Sequence, residues 1–187
     1  MTIQQHLDTT LIDLARVLDG IDPADDARPT PCDGLTVADL RAHVMQALTT
    51  FVRGLEHPQG HGATGPVAVD GRGGDQVRDL ARRIVATQGS EPETLYLGGG
   101  GLPTHIAFPM MLDEFLAHAW DLAAATGQPF APDDQTCDAA TEFLRLRFPT
   151  DASRGNIYGP RIEVPESAPA LDRFLGESGR DPHWRAA

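Results

Sequence analysis

Between Ile106 and Ala125 the chain is apolar on every side of a helical wheel, interrupted only by the ionisable residues Asp113, Glu114, His118 and Asp121. A helix that is apolar all round has to be buried, and a buried ionisable group costs several kcal/mol unless it is paired or bound to a metal. These four side chains therefore need partners. Glu114 and His118 stand four residues apart, which puts both on one helix face with Cβ atoms roughly 6 Å apart, a workable span for two ligands of one divalent cation. The alternative for such a pair is an ordinary hydrogen bond between carboxylate and imidazole.

Charge and composition remove several classes of function. The 187 residues carry a formal charge of -12, whereas nucleic acid and anionic membrane surfaces both reward clustered positive charge. All fifteen basic residues are arginine, so no side chain can form a lysine Schiff base or serve as a phosphate-loop lysine. Cys32 and Cys137 are too few and too far apart for a disulfide framework or a CxxC motif. The N-terminus lacks the features of a signal peptide and no long uncharged apolar run is present, so a cytoplasmic protein is expected.

Helical spacing predicts a first helix through Ile3, Leu7, Leu11, Leu14 and Leu18, ending at Gly20 and Pro23. Thr36 and Asp39 form a capping box for a second, whose apolar stripe runs from Leu40 through Val44, Leu48 and Phe51 to Leu55. His43 flanks that stripe. The segment 57–74 reads as a Gly- and Pro-rich connection, Val77 to Val85 as a short helix, and residues 94–101 as an extended piece followed by a flexible four-glycine turn. The apolar helix then runs from about Thr104 to Thr126, with Gly127 placed to end it. A further helix starts at Asp133–Asp134 and stops before Pro149, and the rest is mostly irregular with a short helical pattern from Ala170 to Leu175. The expectation is one domain over 1–187: an all-α bundle over about 1–149 and an irregular C-terminal extension over about 150–187.

His43 is the expected third ligand, because an imidazole at the edge of a core stripe gains little without a partner; His6, at the edge of the first helix's stripe, is its rival. A His, His, Glu set leaves positions on the ion open, as in catalytic zinc sites, and the same donors accept nickel, iron or manganese. Asp121, one turn beyond His118, is expected to accept a hydrogen bond from a ligand imidazole. His57 and His61 are separated by Pro58 and Gly60 and read as solvated loop, His183 as exposed, and His105 as a capping or surface residue. Cys32 reads as a small buried residue, and no serine lies in a GxSxG elbow. No catalytic residue is assigned.

Two blocks carry a family likeness. Thr30-Pro31-Cys32-Asp33-Gly34-Leu35-Thr36-Val37-Ala38-Asp39-Leu40 with His43 after it, and Asp113-Glu114-Phe115-Leu116-Ala117-His118-Ala119-Trp120-Asp121-Leu122-Ala123 followed by Ala125-Thr126-Gly127, resemble the DinB-like family that includes mycothiol-dependent maleylpyruvate isomerase. The stretch Gly159-Pro160 through Gly179-Arg180-Asp181-Pro182 resembles the ending of its shorter, single-domain members. Leu35 stands where the family often has Trp, and the isomerase itself carries a second domain for which this chain has no room. The resemblance implies a DinB-like four-helix bundle holding a divalent metal, usually zinc, at His43, Glu114 and His118. It also implies mycothiol or a similar small thiol, whose pKa the cation lowers for attack on an electrophilic carbon, giving S-transfer or cis-trans isomerisation. The expected partners are that thiol and an electrophilic small molecule, with no nucleic acid and no membrane; a homodimer is compatible with the chain. Two alternatives stand beside the enzyme: a non-catalytic metal- or thiol-binding bundle in stress response or sensing, and an interaction module without metal.

Overall fold

The structure is a computed structural model and describes residues 1–58, 65–97, 100–155 and 158–186. Helix α1 spans Ile3–Gly20 and buries Leu7, Leu11, Leu14 and Leu18. Its start is fixed by a capping box between Thr2 and Gln5. Helix α2 spans Val37–Glu56, and its expected cap is present: the Thr36 hydroxyl accepts from the Asp39 N–H, and the Asp39 carboxylate accepts from the Thr36 N–H. Removing that hydroxyl in Thr36→Ala is expected to cost about 1 kcal/mol. In a chain of this size that lowers the thermal midpoint by roughly 2–4 °C, read by circular dichroism.

Helix α3, Gly74–Ala86, follows the weak periodicity around Val77, Leu80 and Ile84. A two-point ion pair from Arg83 to Glu56, at 2.8 and 2.6 Å, ties it to the end of α2. The extended piece becomes a strand, β1 Thr94–Tyr96, paired antiparallel with β2 Gly101–Pro103. The pairing with β2 was not expected from the sequence; Leu95 is fully buried in the bundle and holds the strand down. Gly98 and Gly99 of the four-glycine run lie outside the described residues.

Helix α4, Thr104–Thr126, is the axis of the molecule. One side, with Phe108, Phe115, Ala119 and Leu122, joins the main core of α1, α2 and α3. The other side, with Leu112, Leu116 and Trp120, joins a second core with α5, Asp134–Arg147, and α7, Ala170–Glu177. This double burial is what an apolar wheel demands. The helix ends in a Schellman motif, with the Gln128 N–H bonded to the Ala123 carbonyl and Gly127 at φ 69°, where only glycine is unstrained.

Around the bundle, α1 touches α4 and α3, and α2 touches the same two, so the ring runs α1, α4, α2, α3. The fourth member is thus α3; α5 lies outside the ring and packs with α7. The fold is all-α and DinB-like, with the hairpin as its minor addition. After α5 a one-turn helix α6, Asp151–Arg154, begins the C-terminal segment, which packs back onto α5 and α4. No helix among the described residues is long and apolar enough to cross a membrane.

Candidate metal centre

Helices α2 and α4 cross so that His43, about two turns into α2, meets Glu114 and His118 on α4. His43 Nε2 donates to Glu114 Oε1 at 2.8 Å, and His118 Nε2 lies 3.5 Å from the same oxygen. The two imidazole rings stand edge to face, 5.0 Å apart between centroids and at 87°. One donor atom from each residue falls within 4.8 Å of the other two.

The donor set suits a divalent cation. Ligand atoms held tetrahedrally at zinc distances stand roughly 3.3 Å from one another, and the observed separations of 2.8 and 3.5 Å bracket that value. The third separation, between the two imidazole nitrogens, is within 4.8 Å, so an ion would draw the rings together around the Glu114 oxygen.

The environment is less dry than the apolar helix suggested. His43 keeps 47% of its side-chain surface and Glu114 26%, against 7% for His118. The stripe Ile106, Met110 and Glu114 is the partly open line along α4, so the cluster sits at a rim with His43 outermost. Glu114 is pulled well below the usual carboxylate range: burial alone would raise it, but hydrogen bonds and charge from His118 and His43 outweigh that. Burial opposes a charged His118, yet hydrogen bonds to Asp121 and Glu114 prevail and lift its pKa to about 9.

Behind His118, Asp121 is fully buried and accepts from His118 Nδ1 at 2.9 Å. Arg180, from the C-terminal segment, donates Nε–H and Nη2–H to the two Asp121 oxygens at 3.3 and 3.1 Å. Cys32 approaches the same spot, since its sulphur, His118 and Asp121 form a second group of donor atoms within 4.8 Å. It is held there by the Thr30-Pro31-Cys32-Asp33-Gly34-Leu35 turn, in which the Thr30 hydroxyl accepts from the Cys32 N–H and donates to the Leu35 carbonyl. Burial first, then the Asp121 charge, push the Cys32 thiol up, so it is not an activated nucleophile in this form.

Asp113 departs from the rule that buried charges find partners. Neither of its oxygens has a hydrogen-bond partner and it is fully buried. One residue along a helix is a turn of about 100°, so Asp113 points off the line on which Glu114 meets His43. Burial, with Glu114 adding to it, raises the Asp113 carboxyl well above its ordinary pKa.

The rival histidines are placed elsewhere. His6 is buried and its Nδ1 bonds the Thr136 hydroxyl at 2.8 Å, with burial lowering its pKa. His105 lines a cavity of about 410 Å³ with Gln4, Glu91 and Phe108, a cavity that none of the three clustered residues lines. His57 and His183 are exposed, and His61 lies outside the described residues. Arg180 was passed over because its 59-residue separation from Asp121 leaves no local periodicity to betray the contact; the only sequence sign was the Gly179-Arg180-Asp181-Pro182 block.

Among known proteins, the chain is similar to two proteins of Mycobacterium tuberculosis, from strains CDC 1551 / Oshkosh and ATCC 25618 / H37Rv, each named only as uncharacterized. Each is 28% identical over 159 residues, covering 81% of this chain and 83% of the relative. No solved structure matches it. The family model of the mycothiol maleylpyruvate isomerase N-terminal domain matches residues 7–123, which carry His43, Glu114, His118 and Asp121, and the chain belongs to that family.

Proposed function

We propose that His43, Glu114 and His118 hold one divalent cation, zinc first among the candidates, and that the protein uses a small thiol such as mycothiol to attack an electrophilic small molecule. The observation that carries this reading is the convergence of three donor atoms from two helices at separations of 2.8 and 3.5 Å. When bound, the cation supplies a Lewis-acid position that lowers the pKa of a thiol toward neutrality. Nickel, iron and manganese are accommodated by the same donors.

The chain's own residues divide the remaining work. Asp121 accepts the His118 Nδ1 proton, which leaves the Nε2 lone pair directed at the cluster. Glu114 contributes its charge between the two imidazoles. His43, on the open rim, stands where the thiol and the electrophile reach the site. In the overall reaction the thiol loses its proton to solvent and a sulphur–carbon bond forms; either a leaving group then departs with the bonding pair or, across a double bond, later elimination expels the thiolate, which regains its proton from solvent, and leaves an isomerised product. Both cysteines are free, in keeping with a reducing cytoplasm.

The test is a thiol-conjugation assay on the zinc-loaded protein, with mycothiol, cysteine and glutathione as thiols and a chromogenic electrophile. The proposal expects turnover about 100-fold or more above Glu114→Ala, a difference of about 2.7 kcal/mol in the barrier. Saturable metal and thiol binding without turnover selects the non-catalytic bundle instead. Equal rates in both proteins reject the enzyme.

A further inference from the structure

Two groups of donor atoms share His118: one with His43 and Glu114 through Nε2, the other with Cys32 and Asp121. We infer that Arg180 is a positioning residue that decides between them, confining a cation to His43, Glu114 and His118 and keeping Cys32 out of its coordination. The inference rests on the metal reading above and adds to it a role for the C-terminal segment.

Arg180 is held in place from several directions. Helix α7 ends in a Schellman motif in which the Arg180 N–H bonds the Leu175 carbonyl at 2.8 Å and the Gly179 N–H bonds the Gly176 carbonyl at 3.1 Å. Gly179 has φ 82°, and a Cβ there would meet the Gly159 and Pro160 carbonyl oxygens at 3.0 Å, so the turn that aims Arg180 requires glycine. Arg180 Nη1 donates to the Ser178 carbonyl at 3.1 Å. Beyond it, Trp184 packs against both cores and anchors the segment.

The guanidinium covers both oxygens of Asp121. A cation ligated by Asp121 would have to displace that charge or sit against it. A carboxylate without solvent access also needs a compensating charge, and the neutral imidazole of a metal ligand cannot supply one. Arg180 does so permanently, which keeps Asp121 in place as the acceptor for His118 Nδ1–H. Without it, Asp121 and Cys32 become available as ligands on the wrong side of the ring, and His118 Nε2 loses its fixed orientation.

The experiment is cobalt(II) titration of the full chain, read by absorption, for the unaltered protein, Arg180→Gln, Arg180→Lys, Arg180→Gln with Cys32→Ser, and Arg173→Gln. Arg173, whose partner is the exposed Asp138, serves as a control for loss of an ion pair in the same segment. The unaltered protein should show d–d bands and no near-ultraviolet sulphur-to-cobalt charge-transfer band. Arg180→Gln should bind cobalt about 10–100-fold more weakly at the original set, the usual cost of losing a partner behind a ligand, and should gain the sulphur band, which adding Cys32→Ser removes. Arg180→Lys keeps the charge but not the two-point hold, and should fall between the two in affinity; it also serves if Arg180→Gln does not fold. Arg173→Gln should match the unaltered protein. An Arg180 variant whose spectrum is unchanged overturns the inference, whatever its stability. Failure of the unaltered protein to bind cobalt at all overturns the metal reading itself, and the inference falls with it.

Discussion

His43→Ala is expected to weaken zinc binding more than about 100-fold, because loss of a partner behind a ligand already costs 10–100-fold and loss of the ligand itself must cost more. The substitution is clean. His43 has nearly half its side-chain surface in solvent and takes no part in either core. Its hydrogen bond to Glu114 is a partly exposed pair, worth under about 1 kcal/mol of folding stability once screened. The metal-free variant should therefore melt within roughly 2–4 °C of the metal-free parent, while its thermal shift on adding zinc largely disappears. Chelator competition gives the affinities and circular dichroism the midpoints. Equal zinc affinity in the two proteins would remove His43 from the site.

The second large effect concerns pH. In the metal-free protein His118 has its folded pKa raised from 6.5 to about 9. Its stabilising contribution is therefore full below about 6.5 and is lost as pH rises through about 9, a change on the order of 3 kcal/mol. Glu114 is shifted down, so its contribution is present above the ordinary carboxylate range and lost only in strong acid. Asp113 is shifted up, so its cost grows as pH rises above the usual range of an aspartate. The three together place the optimum of the metal-free protein in weak acid, with the thermal midpoint falling by roughly 6–12 °C between pH 6 and pH 9. Asp113→Asn should flatten the part of that slope on the acid side of the His118 transition. Zinc held at the proposed site would replace the His118 proton, and such binding strengthens as protons are removed, so the alkaline loss should shrink or vanish when zinc is added. A metal-free midpoint that is level or rising from pH 6 to 9 contradicts the charged state assigned to His118.

Much of the fold can be derived from local pattern because its determinants are local. The Thr36–Asp39 box, the apolar stripe of α1 and the Gly127 stop each depend on residues within a turn or two of one another. The meeting of His43 with Glu114 and His118 was legible for a different reason: an imidazole beside a core stripe and a carboxylate on a buried helix both demand a partner. Three features were not legible. The choice of α3 over α5 as the fourth ring member depends on which apolar faces match, and α4 offers two. The half-open rim at His43 depends on which side of α4 the ring leaves uncovered. Arg180 reaches Asp121 only because α7 docks on α5 and its glycine-closed end turns back, a tertiary event with no periodic trace.

The most direct measurement is a crystal structure of the protein with equimolar zinc, with data collected at the zinc absorption edge so that anomalous scattering locates the ion. One strong peak is expected at about 2.0–2.2 Å from His43 Nε2, His118 Nε2 and a Glu114 oxygen, with Arg180 still on Asp121. A peak bound instead by Cys32 and Asp121, or no ordered zinc on α4 at all, contradicts it.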